Sequence, residues 1–342
     1  MPRQKLITRI GAVNWDCSLP ATTFFGGYAT RSLSEAQFRE RVPYYAIDLG
    51  DDKIDFPVRA VAEYETEMRH AIAAGIDYFA YCWYDRQPHT DHLVTSAAAN
   101  VDEHVCELVK ARLMHVQSPL RDQIGLCAIL VTSHPYFDEE LIALAETMKA
   151  PYYEKIGGRP LVYLMSAPWE GTLSRLRAFC RQAGVDDPYA VLMGQIPGEK
   201  AAGSIQALGR YACVASGDSY DAILAAQRRQ HDKYVASGWP VLPHFSMGWN
   251  PQPRVNHPVL WGSYPAVTYH PTATAEQLLA GAAQLKEWVR EHADSCPTGN
   301  ILVFAWNEFE EGGWICPTLG TGGKANTTRR DTFAQIAAYW KA

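Results

Sequence analysis

The sequence predicts a single-domain (β/α)₈ barrel, and three observations carry that expectation. Eight short apolar runs rich in β-formers recur along the 342 residues, stretches of helical period separate them, and no GxGxxG fingerprint follows the first run. Strands alternating with helices imply a parallel sheet, and eight such units favour closure into a barrel over an open doubly wound sheet.

Arg9–Asn14 is the first expected strand. Trp15–Asp55 follows as a long loop rich in Phe, Tyr and Arg, with short helical content near Ser34–Arg41. Val61–Ala74 then puts Ala62, Met68 and Ile72 at helical spacing and stops on Gly75, a natural C-cap. Tyr78–Trp83 is the second strand, followed by a second long loop, Tyr84–Ala99, and a helix over Asp102–Met114. Strands at Ile124–Val131, Pro160–Leu164 and Tyr189–Met193 enclose helices at Asp138–Met148 and Leu173–Ala183. The next crossover, around Gly203–Gly209, is short and weakly helical, and Tyr211–Ala215 is the sixth strand. A helix over Ser219–Val235 leads to the seventh strand, Pro240–Phe245, and to a third long loop, Ser246–Thr272, rich in proline. Helix Ala275–Ala293, strand Ile301–Trp306 and helix Thr328–Tyr339 complete the chain. The strands are almost continuously apolar, as parallel strands covered on both faces should be. All three long loops follow strands, so they fall on the C-terminal face, where barrel enzymes place their sites.

Hydrophobic residues make up 47% of the chain and charged residues 20%, the balance of a globular protein. A formal charge of −6 leaves no basic footprint, so neither nucleic acid nor an anionic membrane is an expected partner. The N-terminal Met-Pro-Arg-Gln-Lys-Leu-Ile has no apolar core of signal-peptide length, and no run approaches the roughly 20 residues of a membrane span. Eight scattered cysteines form no CxxC pair. The expectation is a reduced, cytoplasmic chain, unless a leader precedes it.

The strand ends present aromatic rings interleaved with carboxylates and amides. They are Asn14-Trp15-Asp16, Trp83-Tyr84, His134, His244, Trp249 and, after the last strand, Trp306-Asn307-Glu308-Phe309-Glu310-Glu311-Gly312-Gly313. Such a set suits a sugar, whose C–H faces stack on rings while carboxylates and amides bind hydroxyls. Glycoside cleavage uses two carboxyl groups, and close carboxyls push their pKa values apart so that one stays protonated. Glu308 and Glu311, three apart beyond a strand end, are therefore the expected catalytic pair, with Glu310 read as a solvated neighbour.

The other candidates carry blander alternatives. Trp83 and Tyr84 either bind or cap the core; Asp16 and Asp218 are either site groups or turn caps, with Ser219 opening a helix after the latter. His134 either orders its loop before Pro135 or contacts substrate, and His244 is a structural histidine or a contact. Arg254 clamps its own loop or a ligand. His89 and His92 lie three apart and His104 and His115 follow, but no HxH ends the first strand and no HExxH occurs, so neither metal nor other cofactor is expected. Gly320–Lys324 lacks the strand-then-helix setting of a phosphate loop, and no GxSxG elbow is present.

Phe304-Ala-Trp-Asn-Glu-Phe-Glu-Glu-Gly-Gly-Trp-Ile-Cys-Pro-Thr318 resembles the A-W-N-E-W-x-E-G segment, followed by Pro-Thr, of the glycoside hydrolase family 99-like proteins. That family includes endo-α-mannosidases and proteins of bacterial polysaccharide clusters. Gly75–Tyr84 resembles its second strand, and Gly248-Trp-Asn-Pro-Gln-Pro-Arg254 its G-W-D-N-T-P-R stretch. The resemblance implies a (β/α)₈ barrel acting on carbohydrate. It further implies Glu311 as general acid/base and Glu308 at the sugar 2-hydroxyl, with retention through a 1,2-anhydro sugar. Phe309 stands in place of a tryptophan, Cys316 where many relatives have Glu, and Asn250-Pro251-Gln252 in place of Asp-Asn-Thr. A glycosyltransferase-like barrel and a non-catalytic carbohydrate-binding barrel are the rival readings.

Overall fold

The computed structural model describes residues 6–89, 97–198 and 203–342. Parallel strands β1 (Arg9–Asn14), β2 (Tyr78–Trp83), β3 (Gly125–Val131), β4 (Arg159–Met165), β5 (Tyr189–Met193), β6 (Ala207–Gly209), β7 (His244–Ser246) and β8 (Asn300–Phe304) form the sheet. They pair in the order β7-β8-β1-β2-β3-β4-β5-β6. The ring closes just before β7, where Leu208 bridges Val241 in parallel. There the Leu208 N–H donates to Pro240 O and the Leu242 N–H to Leu208 O, both at 2.8 Å. The architecture is the (β/α)₈ barrel that the sequence implied.

Strand alternation sorts side chains between the barrel interior and the surrounding helices. On β2, Tyr78 turns inward and meets Tyr163 OH at 3.0 Å, while Tyr81 turns outward to His115 Nδ1 at 2.9 Å. Gly11 on β1 makes room for Tyr78: a Cβ there would lie 2.2 Å from its ring. The helices are α1 (Phe24–Leu33), α2 (Val61–Ala73), α3 (Ala97–His104), α4 (Lys110–Gln117), α5 (Asp138–Thr147), α6 (Glu170–Ala183), α7 (Tyr220–Ala236), α8 (Gln252–Asn256), α9 (Ala275–Glu291) and α10 (Thr328–Lys341). α2 ends as expected, with Gly75 at φ +79° and the Ile76 N–H reaching back to Ala71 O at 3.1 Å.

Several elements differ from the sequence reading. The sixth strand is Ala207–Gly209 rather than Tyr211–Ala215, and the described parts of the β5–β6 connection contain no helix. Closure decides this: Leu208 is the residue that reaches Val241, and the chain has already left the sheet by Tyr211. β8 stops at Phe304 instead of Trp306, and the helix expected over 102–114 is split into α3, a 3₁₀ turn and α4. The first loop contains α1, which the Gly26-Gly27 pair disguises in the sequence. Residues 90–96, which include His92 and part of the second long loop, lie outside the described residues. Among the described residues, no helix is long and apolar enough to cross a membrane.

Candidate active site

The acidic segment after β8 folds as a tight hairpin in which Asn307–Glu308 pairs antiparallel with Gly313–Trp314. Two glycines allow it to sit where it does. Gly312 has φ +81° and a Cβ there would lie 2.9 Å from Asn250 N; one on Gly313 would lie 2.3 Å from the Phe304 ring. The hairpin is thus pressed onto β8 and the loop after β7, and the Asn250 N–H donates to Glu311 O at 2.7 Å. Its two ends deliver Glu308 and Glu311 into one cavity of about 230 Å³ at the C-terminal mouth of the barrel. Trp15, Tyr84, His134, Tyr211, Arg254, Trp261 and Tyr264 also line it.

Arg254 organises the charge. Its guanidinium Nη1 pairs with Glu311 Oε1, and Nη2 lies 3.4 Å from Glu310 Oε2 and 3.7 Å from Glu308 Oε2. Tyr264 OH, which accepts from Arg254 Nη1 at 2.7 Å, donates to Glu311 Oε1 at 2.6 Å. Tyr211 OH donates to Glu308. Glu310 accepts from Ser32 Oγ at 2.5 Å and from the Cys17 thiol at 3.2 Å. Burial and the Glu311 charge raise Glu308 well above the usual carboxylate range; Arg254 and Tyr211 oppose them. Burial also raises Glu311, against Arg254 and the Tyr264 hydrogen bond. Burial thus pushes both carboxyls in the same direction, and each is opposed by Arg254.

The structure brings together only part of the sequence-predicted set. Trp15, Tyr84, His134, Arg254, Glu308 and Glu311 line the cavity. His134 is oriented by Asp102, and the Trp15 Nε1–H donates to Tyr84 OH at 3.2 Å. The side chains of Asn14, Asp16, Trp83, His244, Trp249, Trp306 and Asn307 line no part of it. Trp83 is one residue out of phase with Tyr84, so it faces the helices and donates to Glu140 at 2.7 Å beneath Arg112. Trp306 points outward to Glu67 at 2.7 Å, and Asp16 pairs with buried Arg59. Asn307 accepts from the Trp15 N–H at 2.9 Å and donates to Asn14 at 3.1 Å, a strut between the β1 and β8 ends. His244 is turned onto His231 at 2.8 Å, a pair that burial keeps neutral. Trp249 packs behind Tyr264 and on Phe304, with ring centroids 6.3 and 5.8 Å away. Ser219, not Asp218, caps α7.

Glu310 corrects the sequence reading most sharply: it is 1% exposed and held by Arg254, not solvated. Tyr211, Trp261 and Tyr264 were missed. Tyr211 was absorbed into a misplaced strand; the other two lie on the third long loop, where aromatic residues on the C-terminal face are the available signal. Among the described residues, no group of three or more His, Cys, Asp or Glu side chains is arranged to hold a metal ion.

No family model and no curated protein matches the sequence. Among solved structures the chain is similar to the family 99 endo-α-mannosidase of Bacteroides thetaiotaomicron bound to bis-tris propane. The TM-score is 0.54 at 12% identity, over 97% of this chain and 95% of that one. Another structure of that enzyme gives 0.49 at 13% identity, over 82% of this chain and 78% of that one. The family 1 β-glucosidase of Thermotoga maritima gives 0.47 at 7% identity, over 99% of both chains. At such identities the likeness concerns the fold: this chain has the barrel that a family 99 endo-α-mannosidase also has, along nearly its whole length.

Proposed function

We propose that the protein is a glycoside hydrolase whose acid–base pair is Glu308 and Glu311. The observation that carries this reading is the convergence of two buried carboxyl groups with raised pKa values on one cavity edged by Trp15, Tyr84, Trp261 and Tyr264. Rings offer stacking surfaces for a pyranose, and two carboxyl groups at one cavity are what an acid and a base at the anomeric centre require. The division of labour that the resemblance implies gives the leaving-group proton to Glu311. Glu308 then takes the 2-hydroxyl proton as O2 attacks C1 and the glycosidic C1–O bond breaks. Water next opens the 1,2-anhydro sugar, giving its proton to Glu311 and its oxygen to C1, while Glu308 returns its proton to O2. Carbohydrate is the substrate class, and configuration at C1 is retained.

One observation favours the exchanged division as a second reading: Arg254 and Tyr264 both donate to Glu311 and so stabilise its charged form. Paired kinetics separate the two. Glu311→Gln is expected to slow an unactivated glycoside by about 10²–10⁴-fold, the usual worth of a general acid. It should lose far less on an aryl glycoside whose leaving group needs no proton, whereas Glu308→Gln should be slow on both. The opposite pattern exchanges the roles. Near-normal turnover by both variants removes the hydrolase reading from this site, and release of free nucleotide from a nucleotide sugar with acceptor would favour transfer instead.

A further inference from the structure

We infer that the cavity is a one-ended pocket that admits only the terminal, non-reducing residue of a glycan, and that Trp261 closes its blind end. This rests on the glycosidase reading and deepens it to the mode of attack. An enzyme that cuts inside a chain needs a groove open at both ends, so that sugars continue past the enclosed residue in each direction. Here the most exposed part of the described lining lies on one side. Among the described lining residues Ser133 and Ser166 are the exposed ones, following the neighbouring strands β3 and β4, while His134, Met165, Tyr211, Trp261 and Tyr264 are half-buried. Small polar side chains there leave a gap through which a chain can pass.

The opposite side is a wall built from three separate loops. Trp261, from the loop after β7, packs on Phe25 and Tyr28 of α1 with ring centroids 4.9 and 5.1 Å apart, and on Trp15 at 5.9 Å. Phe24 continues the wall by stacking on His104 at 4.6 Å, which ties α1 to the segment after β2. Aromatic contacts of this kind, made by three elements at once, resist the sideways opening that a second sugar would require. The same wall carries hydrogen-bonding capacity that the protein does not use. Trp261 Nε1 and Arg254 Nε are buried donors on cavity-lining residues with no hydrogen-bond partner among the described residues. Buried donors are nearly always satisfied, so both suit the hydroxyl oxygens of an enclosed sugar. Because both carboxyls act at C1 of the enclosed residue, that residue is the glycone, and the rest of the chain leaves between Ser133 and Ser166.

The test uses manno- and gluco-configured oligosaccharides with a fluorescent reducing end, each with a free or a chemically blocked non-reducing residue. The wild-type protein should shorten the free chains by one residue at a time and leave blocked chains intact. Trp261→Ala should gain cleavage of blocked chains or release of disaccharides. Trp261→Phe, which keeps a ring but lacks the N–H, should retain the one-residue pattern with KM raised about 2–10-fold, the worth of one hydrogen bond. A melting curve for each variant identifies any that fails to fold, and the wild-type and Phe patterns decide without the Ala variant. Internal cleavage by the wild type overturns the inference while leaving the hydrolase reading standing. A folded Trp261→Ala confined to one-residue steps overturns the part given to Trp261. Release of no sugar from any chain removes the hydrolase reading and this inference with it.

Discussion

At the scale of single residues, the site is an unequal balance of charge. One guanidinium, Arg254, faces Glu308, Glu310 and Glu311, and all four side chains are almost wholly buried. The consequence for stability has a definite sign. Glu308 and Glu311 titrate above ordinary glutamates, so the folded chain binds protons there that the unfolded chain releases. Their contribution is fully present below the unfolded value of about 4.3 and is lost as pH rises through the folded values. Replacing Arg254 by Met removes the cation that offsets the charged forms of both groups and pushes them higher still. The variant should therefore lie closest to wild type at about pH 4 and fall behind as pH rises, reaching a deficit of about 3–5 kcal/mol near neutrality. Urea unfolding at a series of pH values measures this; a deficit that is constant, or largest in acid, would contradict the assigned charge balance. That Glu308 and Glu311 share one cavity follows from where the sequence puts them, three apart just beyond a strand end. Glu310 was not legible, since its partner stands on another loop and nothing local in the acidic run tells a buried acid from a solvated one.

Elements place these residues, and α1 illustrates how. It carries Phe25 to the cavity wall and Ser32 to Glu310, yet Phe-Phe-Gly-Gly reads locally as loop. The glycine is explained by what lies behind it: a Cβ on Gly26 would fall 2.1 Å from Leu19 O and 2.2 Å from Pro20 O. Both obstacles are backbone, so Gly26→Ala must displace the helix, at a cost of about 1–3 kcal/mol. Substrate affinity should weaken with it. Gly27→Ala is the control, because its nearest neighbour, Ala21 O, lies 3.1 Å away and alanine favours the helix by up to about 1 kcal/mol. Chemical denaturation of the two variants distinguishes them; a Gly26→Ala protein as stable as wild type would mean that α1 does not pack this closely. Most strands were legible as continuous apolar runs, because both faces of a barrel strand are covered. Two things were not. Which of Trp83 and Tyr84 faces the mouth depends on a phase that a doubly buried run does not display, and β6 is three residues long, fixed by the closure contact at Val241 rather than by its own pattern.

For the whole molecule, the cysteines give a reading of how completely barrel and loops exclude solvent. None of the eight is paired, and Cys106 alone is half-buried while the other seven are buried. Burial does more than hide these thiols. It raises Cys213 to about 11 and Cys180 and Cys296 to about 12, and lifts Cys17, Cys82, Cys127 and Cys316 further, so the nucleophilic thiolate is suppressed at every buried site. The sequence made them apolar members of strands and helices, which is the behaviour of unpaired cysteine in a core. Titrating the native protein at neutral pH with an anionic aromatic disulfide should therefore modify Cys106 rapidly and the rest only as the chain opens, while the denatured chain should yield all eight. Cys82 sharpens the test, since it lines the cavity itself with its thiol 3.6 Å from Tyr211 OH. On the proposed geometry small neutral alkylating agents should pass between Ser133 and Ser166, whereas a bulky anion should be held off by the acids Glu308 and Glu311 that line the cavity. Peptide mapping that found Cys82 among the rapidly labelled positions would mean that the mouth stands wide open, and the aromatic wall would then have to be something other than a closed end.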